Sequence, residues 1–148
     1  MTTPTAPGTL SSTAVDNDGA IAARYTCDGE DVSPELSWTP MDRPAAGIYV
    51  VVTDPDAGGF VHWVAGPLPT STTSLPEGAS GEGDLEQGTN GFGDVGWGGP
   101  CPPSGTTHHY RFLVVSLAAD LQGPLTAASV LEARQVQGAA LTATYTRP

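Results

Sequence analysis

The chain has no lysine. It carries only five arginines and three histidines against sixteen carboxylate side chains, for a formal net charge of −11 over 148 residues. Without an ammonium group there can be no P-loop, Schiff base or lysine-assisted nucleophile, since each needs that amine at a defined place. A charge of this size and sign repels phosphate surfaces, so neither nucleic acid nor an anionic membrane surface is an expected partner. Cysteine is scarce: Cys27 and Cys101 stand alone, with no Cys-x-x-Cys context to mark a redox catalyst. Gly-x-Ser-x-Gly and His-Glu-x-x-His are also missing. The longest apolar run, Ile48 to Val52, is far short of the roughly 20 residues of a spanning helix. The N-terminal stretch lacks the basic flank and apolar core of a secretory signal. A flexible tail over residues 1–8, one domain over residues 9–148 and a cytoplasmic location are therefore expected.

What is present reads as strands punctuated by glycine and proline. Segments 20–25, 36–38, 47–53, 60–65 and 110–118 have β-branched or aromatic content bounded by turn residues. Residues 126–136 carry helix formers, with Thr126 as N-cap and Gly138 as the closing glycine, before a last strand over 140–145. A mainly β domain with one late C-terminal helix is predicted. Between Thr70 and Thr107 the composition turns to Gly, Ser, Thr, Glu and Pro, which by itself suggests a linker. A loop that long in a small domain points to function. Its second half holds Phe92, Trp97 and a Gly-Pro-Cys-Pro-Pro run, suited to the rim of a pocket.

All three histidines fall in two short segments, Asp54-Pro-Asp-Ala-Gly-Gly-Phe-Val-His-Trp63 and Gly99-Pro-Cys-Pro-Pro-Ser-Gly-Thr-Thr-His-His-Tyr110. If 47–53 is a strand, Asp54 and Asp56 leave its end on one face. Two neighbouring carboxylates disfavour each other's ionisation, so one of them retains a proton or bonds a histidine. The bland alternative is that Asp54-Pro55-Asp56 is only a turn and that His62 and His108 are satisfied core residues. Asp54, Asp56, His62 and His108 are also metal-ligand types, but no local ligand signature appears, and neither a metal nor a cofactor is expected. If His108 faces inward on a strand, His109 faces out.

Arg24-Tyr-Thr-Cys-Asp-Gly29, Val32-Ser-Pro-Glu-Leu-Ser-Trp38, Asp54-Pro-Asp-Ala57, His62-Trp63, Gly98-Gly-Pro-Cys-Pro-Pro-Ser-Gly105 and His108-His-Tyr110 occur in this order. Together they resemble the phosphatidylethanolamine-binding protein family, in particular its small bacterial branch described as Raf kinase inhibitor-like. The likeness implies an antiparallel β-sandwich whose pocket, at one end, accepts small anions such as phosphate, acetate or a phosphorylated headgroup. By that likeness Asp54, Asp56, His62, Gly99, Pro100, Cys101, His108 and Tyr110 line the pocket, backbone N–H groups and a histidine donating to the anion. The implied cavity is metal-free. Cys27 and Cys101 flank it and are able to approach one another, but in a reducing cytosol two buried thiols are the expected state.

Two departures stand out: Gly58 where the family usually has Pro, and Gly66 where it commonly has Asn. Both are expected to loosen the pocket and admit a bulkier, less polar ligand. The leading expectation is a small-molecule-binding protein, with modulation of a kinase or protease as an extension. The alternative is a cyclase or isomerase using Asp54 or Asp56 as general base and His62 or His108 as general acid. A third is an interaction module whose loop presents Trp97 and Phe92 to a protein partner. The oligomeric state is not encoded in any pattern found.

Overall fold

A computed structural model describes residues 8–148; most of the expected tail lies outside the described residues. Seven strands and one short helix follow in order: β1 (Leu10–Ser11), β2 (Leu36–Trp38), β3 (Gly47–Asp54), β4 (Phe60–Leu68), β5 (Ser74–Leu75), β6 (Thr107–Leu117), α1 (Ala127–Glu132) and β7 (Gln135–Thr146). They form a four-stranded sheet, β4-β3-β6-β7, and a three-stranded sheet, β1-β2-β5, with antiparallel pairing throughout. The mainly β architecture with one late helix is as expected.

The long strands form where β-branched residues run together. Along β3 the side chains alternate between two apolar layers. Ile48, Val50 and Val52 face the main core with Leu36, Trp38, Leu75, Phe112 and Val114, while Tyr49 and Val51 face an outer cluster with Ala127 and Val130 of α1. Being buried on both faces, β3 reads as a continuous apolar run.

Two expectations are corrected. Residues 20–25 do not form a strand: isolated bridges at Ala20 and Ile21 lead into a 3-10 turn over Ala23–Tyr25. Thr126 does cap α1, in a reciprocal capping box with Ser129, but the helix ends at Glu132 and Gly138 lies inside β7. Pairing of β7 along the whole of β6, from Leu117↔Gln135 to Thr107↔Thr146, outweighs the modest helix propensity of residues 133–136. The 70–107 stretch, whose composition alone suggests a linker, is held to the domain by polar contacts. Asn90 is buried, donating to the Gly96 carbonyl and accepting from the Phe92 and Asp94 N–H groups, and Gln87 bridges the Trp63 indole to the Ser80 carbonyl.

Candidate functional site

The end of β3, the start of β4 and the start of β6 converge at one edge of the main core. Asp54, the last residue of β3, is buried. Its Oδ1 accepts from the Asp56 N–H (2.8 Å), capping a 3-10 turn over Pro55–Ala57, and its Oδ2 lies 2.6 Å from His108 Nδ1. A hydrogen on Nδ1 ties the pair together in either charge state of the ring. Gly58 closes the turn at φ +67, a conformation glycine takes without strain and proline cannot.

His62 reaches the site through a β-bulge. The β3–β4 register runs Val52↔Trp63 and then Thr53↔Val61, leaving His62 as the extra residue. Consecutive strand side chains normally point to opposite faces, yet Trp63 enters the main core and His62 is buried beside it at the core's end. The bulge re-aims His62 inward. Its Nδ1 lies 2.6 Å from the Gly98 carbonyl, and the Gly98 N–H returns a bond to the His62 carbonyl at 2.9 Å. Burial, the largest influence, lowers the imidazole pKa against the opposing pull of the Gly98 carbonyl and of Asp54 and Asp31. The unfolded chain therefore takes up a proton at His62 more readily than the native one. Stability is expected to fall as pH drops below about 6.5 and this segment of the pH–stability curve to flatten in His62→Gln, as followed by thermal melts. An unchanged slope in the variant would assign the acid limb to other groups.

Tyr110 and His108, two apart on β6, share a face, their rings stacked at 6.5 Å. Tyr110 meets His62 edge-on at 5.2 Å. Burial, with the charge of Asp54 behind it, raises the phenol pKa well above its usual value, so the hydroxyl keeps its hydrogen. Among the described residues it is the one buried side-chain polar atom without a hydrogen-bond partner. Asp54, His62, His108 and Tyr110 form the polar lining of a cavity of about 150 Å3, completed by Ala57, Phe60, Phe92, Cys101, Pro102 and Pro103.

Of the residues singled out in the sequence, Asp54, His62, Cys101, His108 and Tyr110 come together on this cavity; Asp56, Gly99 and Pro100 do not line it. Asp56 is exposed and accepts from both the N–H (2.7 Å) and Nδ1 (2.9 Å) of His109, which hold its carboxyl below the usual range. His109 faces outward, as strand alternation requires. The Gly99 N–H, expected to donate to a ligand, donates to Asp31 Oδ1 instead (2.8 Å), and the Pro100 carbonyl accepts from the Cys27 N–H. These residues build the wall from behind. Phe92, Pro102 and Pro103, expected at the rim of a pocket, do line it; Ala57 and Phe60 were missed as lining residues, and only their adjacency to His62 pointed to them.

The two thiols expected at Cys27 and Cys101 are joined in a disulfide, Cα–Cα 5.4 Å, and Cys27 is exposed rather than buried. Folding brings segments 74 residues apart within bonding range. Gly66 does not loosen the pocket. It lies beside Ile48 and Tyr49, where an added Cβ would stand 2.7 Å from the Ile48 carbonyl, and it lines a different cavity with Leu121 and Leu125. Trp97 is no free docking anchor either: its indole N–H donates to the Tyr25 carbonyl (3.2 Å) and its ring stacks on Phe112. Phe92 is half-exposed at the cavity's edge. Among the described residues no group of three or more His, Cys, Asp or Glu is arranged to hold a metal ion, and no helix is long and apolar enough to cross a membrane.

The profile of the phosphatidylethanolamine-binding protein family matches residues 11–146. A UPF0098 protein of Pyrococcus abyssi is 41% identical over 119 residues, covering 74% of this chain and 66% of the relative. The candidate lipoprotein LppC of Mycobacterium tuberculosis is 37% identical over 137 residues, 90% of this chain and 67% of its own length. With the Archaeoglobus fulgidus UPF0098 protein matched over 44% of its length, the chain spans roughly half to two thirds of these relatives. The crystal structure of Escherichia coli YbcL, a member of the mammalian PEBP family, superposes with a TM-score of 0.84 at 28% identity, covering 97% of this chain and all of that one. With that profile matched from the end of β1 to the end of β7 and the same fold in a solved member, the chain belongs to the phosphatidylethanolamine-binding protein family.

Proposed function

We propose that the cavity at the Asp54–His108 end binds a small oxyanion or a phosphorylated headgroup. The observation that carries this reading is the Tyr110 hydroxyl, buried, protonated and without a partner beside two imidazoles. A buried donor left unsatisfied costs about 1–3 kcal/mol, which a bound acceptor recovers. Family membership supports a small-ligand-binding role in general. The net charge of −11 is no obstacle, since exposed charges are screened beyond about 8 Å at physiological ionic strength and Asp54 already faces two donors. The apolar edge formed by Phe60, Phe92 and Pro103 suits a carbon substituent on the anion, and exposed Phe92 and Val95 would be the contact for a kinase or protease partner.

Calorimetric titration with inorganic phosphate and phosphoethanolamine tests the reading. Tyr110→Phe is expected to weaken binding about tenfold while leaving the melting temperature unchanged or raised, because the substitution removes an unsatisfied hydroxyl. Wild-type affinity in that variant, or stabilisation by apolar metabolites and by no anion, would overturn it.

One observation favours a catalytic second reading. The Asp54 carboxylate orients the His108 imidazole at 2.6 Å beside a protonated phenol, a grouping competent for proton transfer. In that reading the carboxylate is Asp54, because Asp56 is engaged with His109. Chemical change of a candidate ligand during titration, lost in His108→Ala, would favour it.

The location we favour is an oxidising compartment rather than the cytoplasm. An exposed disulfide persists in such a compartment, and one relative is a candidate lipoprotein.

A further inference from the structure

We propose that Asp31 is a positioning residue that fixes His62 in its Nδ1-protonated form through the Gly98–Gly99 peptide. The pocket thereby selects oxyanions that carry a hydrogen, such as monohydrogen phosphate or a singly protonated phosphate ester, over sulfate. The inference rests on the anion-binding reading above and adds a rule of selection to it.

The chain of contacts is short and each link has one polarity. Asp31, held at φ +57 with its N–H donating to the Arg24 carbonyl (2.9 Å), accepts the Gly99 N–H on Oδ1 at 2.8 Å. That bond anchors the turn whose preceding carbonyl, on Gly98, lies 2.6 Å from His62 Nδ1. A carbonyl only accepts, so the hydrogen between them belongs to Nδ1. The stretch is closely packed: an added Cβ on Gly98 would stand 2.5 Å from Phe92 Cδ2, and on Gly99 2.2 Å from the Tyr25 carbonyl.

The other nitrogen, Nε2, is thereby left as an acceptor whenever the ring is neutral. The charged and titratable groups around the ring are Asp54 from the end of β3, Asp31 from the segment before β2, and Tyr110 and His108 from β6; Phe60 and Phe92 are apolar. The two carboxylates favour a second ring proton, but burial outweighs them. The pocket thus offers a fixed donor, the Tyr110 hydroxyl, and a fixed acceptor, His62 Nε2. A ligand oxygen bearing a hydrogen satisfies the acceptor, whereas a fully deprotonated oxyanion sets lone pair against lone pair and leaves Nε2 unpaired.

Monohydrogen phosphate and sulfate have the same charge and nearly the same size and differ by that one hydrogen. Their comparison at about pH 8, where phosphate is mostly the dianion, isolates it. Calorimetry on the whole protein is expected to give phosphate an affinity about tenfold above sulfate. Asp31→Asn, which keeps a side-chain acceptor, should retain that ratio, and Asp31→Ala should shrink it. Nitrogen-15 NMR of the wild-type histidines reads the proton position directly, with a protonated Nδ1 and a bare Nε2 expected for His62, so the inference remains testable even where Asp31→Ala fails to fold. Equal binding of the two anions, or a His62 protonated on Nε2, overturns the selection rule while leaving the anion-binding reading intact. If neither anion binds, both readings fall together.

Discussion

Reduction of the Cys27–Cys101 disulfide, or its replacement by a pair of serines, is expected to lower the melting temperature by about 10 °C. The bond closes a loop of 74 residues. Restricting the unfolded chain over that span is worth about 4 kcal/mol in the chain-entropy treatment, and a domain of this size shifts by about 2–4 °C per kcal/mol. Native contacts that survive reduction do not replace this term. The Cys27 N–H bond to the Pro100 carbonyl (3.1 Å) and the Arg147–Asp28 pair (3.3 Å) do not involve the sulfurs and are expected to hold the reduced protein folded while the unfolded state gains freedom. The wall formed by Cys101, Pro102 and Pro103 then loses its covalent tether to the 24–29 segment. Anion affinity should fall together with the melting temperature. Calorimetric melts with and without reductant, with thiol quantitation to establish that the bond has opened, check this. An unchanged transition in fully reduced protein would refute it.

How much of the molecule could be read beforehand depends on whether the signal was local. Strands β3, β4 and β6 were legible because their β-branched runs lie between Gly and Pro, and Thr126 was legible as a cap because its cue is a few residues long. The 20–25 segment was not: its β-branched and aromatic content beside Gly19 suggested a strand, but the Thr26 hydroxyl turns back to the Ala23 carbonyl and Tyr25 is drawn into the core. Gln87 and Asn90 look like ordinary loop residues, and only the folded contacts, long-range for Gln87 and within the loop for Asn90, reveal them as the polar pins of the 70–107 stretch.

The site divides in the same way. His62 and His108 were visible as chemistry-bearing residues beside turns, and the outward direction of His109 followed from an inward His108 on a strand. The bulge that turns His62 inward is a property of register between two strands, and no alternation pattern within β4 announces it. Asp54 and Asp56 were both expected to line the pocket. The 3-10 turn that begins at Pro55 separates them, burying the first and leaving the second outside with His109. Cys27 and Cys101 were misjudged because compartment chemistry was weighed without the 5.4 Å proximity that only the fold supplies.

Gly99→Ala is expected to damage fold and pocket together, and the pattern of damage identifies what the Gly98–Gly99 turn does. A Cβ at Gly99 would lie 2.2 Å from the Tyr25 carbonyl, 2.3 Å from Asp31 Oδ1 and 3.0 Å from Thr26 Cα. Two of these three are backbone atoms of the segment that the disulfide ties down, so the strain cannot be relieved by turning a flexible side chain. Overpacking of this kind costs about 1–3 kcal/mol, which at this chain length is a melting-temperature drop of about 2–12 °C. The turn must move away from the 24–31 segment, and that movement breaks the Gly99 N–H bond to Asp31 and carries the Gly98 carbonyl off His62 Nδ1. Phosphate affinity should therefore fall by more than the few per cent of unfolded protein can explain. Gly81→Ala serves as the control, because an added Cβ there meets nothing within 4 Å, and it should leave melting temperature and affinity unaltered. A Gly99→Ala protein that melts lower but binds phosphate normally would mean that the turn supports the fold without positioning His62. One that matches wild type in both would mean that the wall yields far more easily than its packing implies.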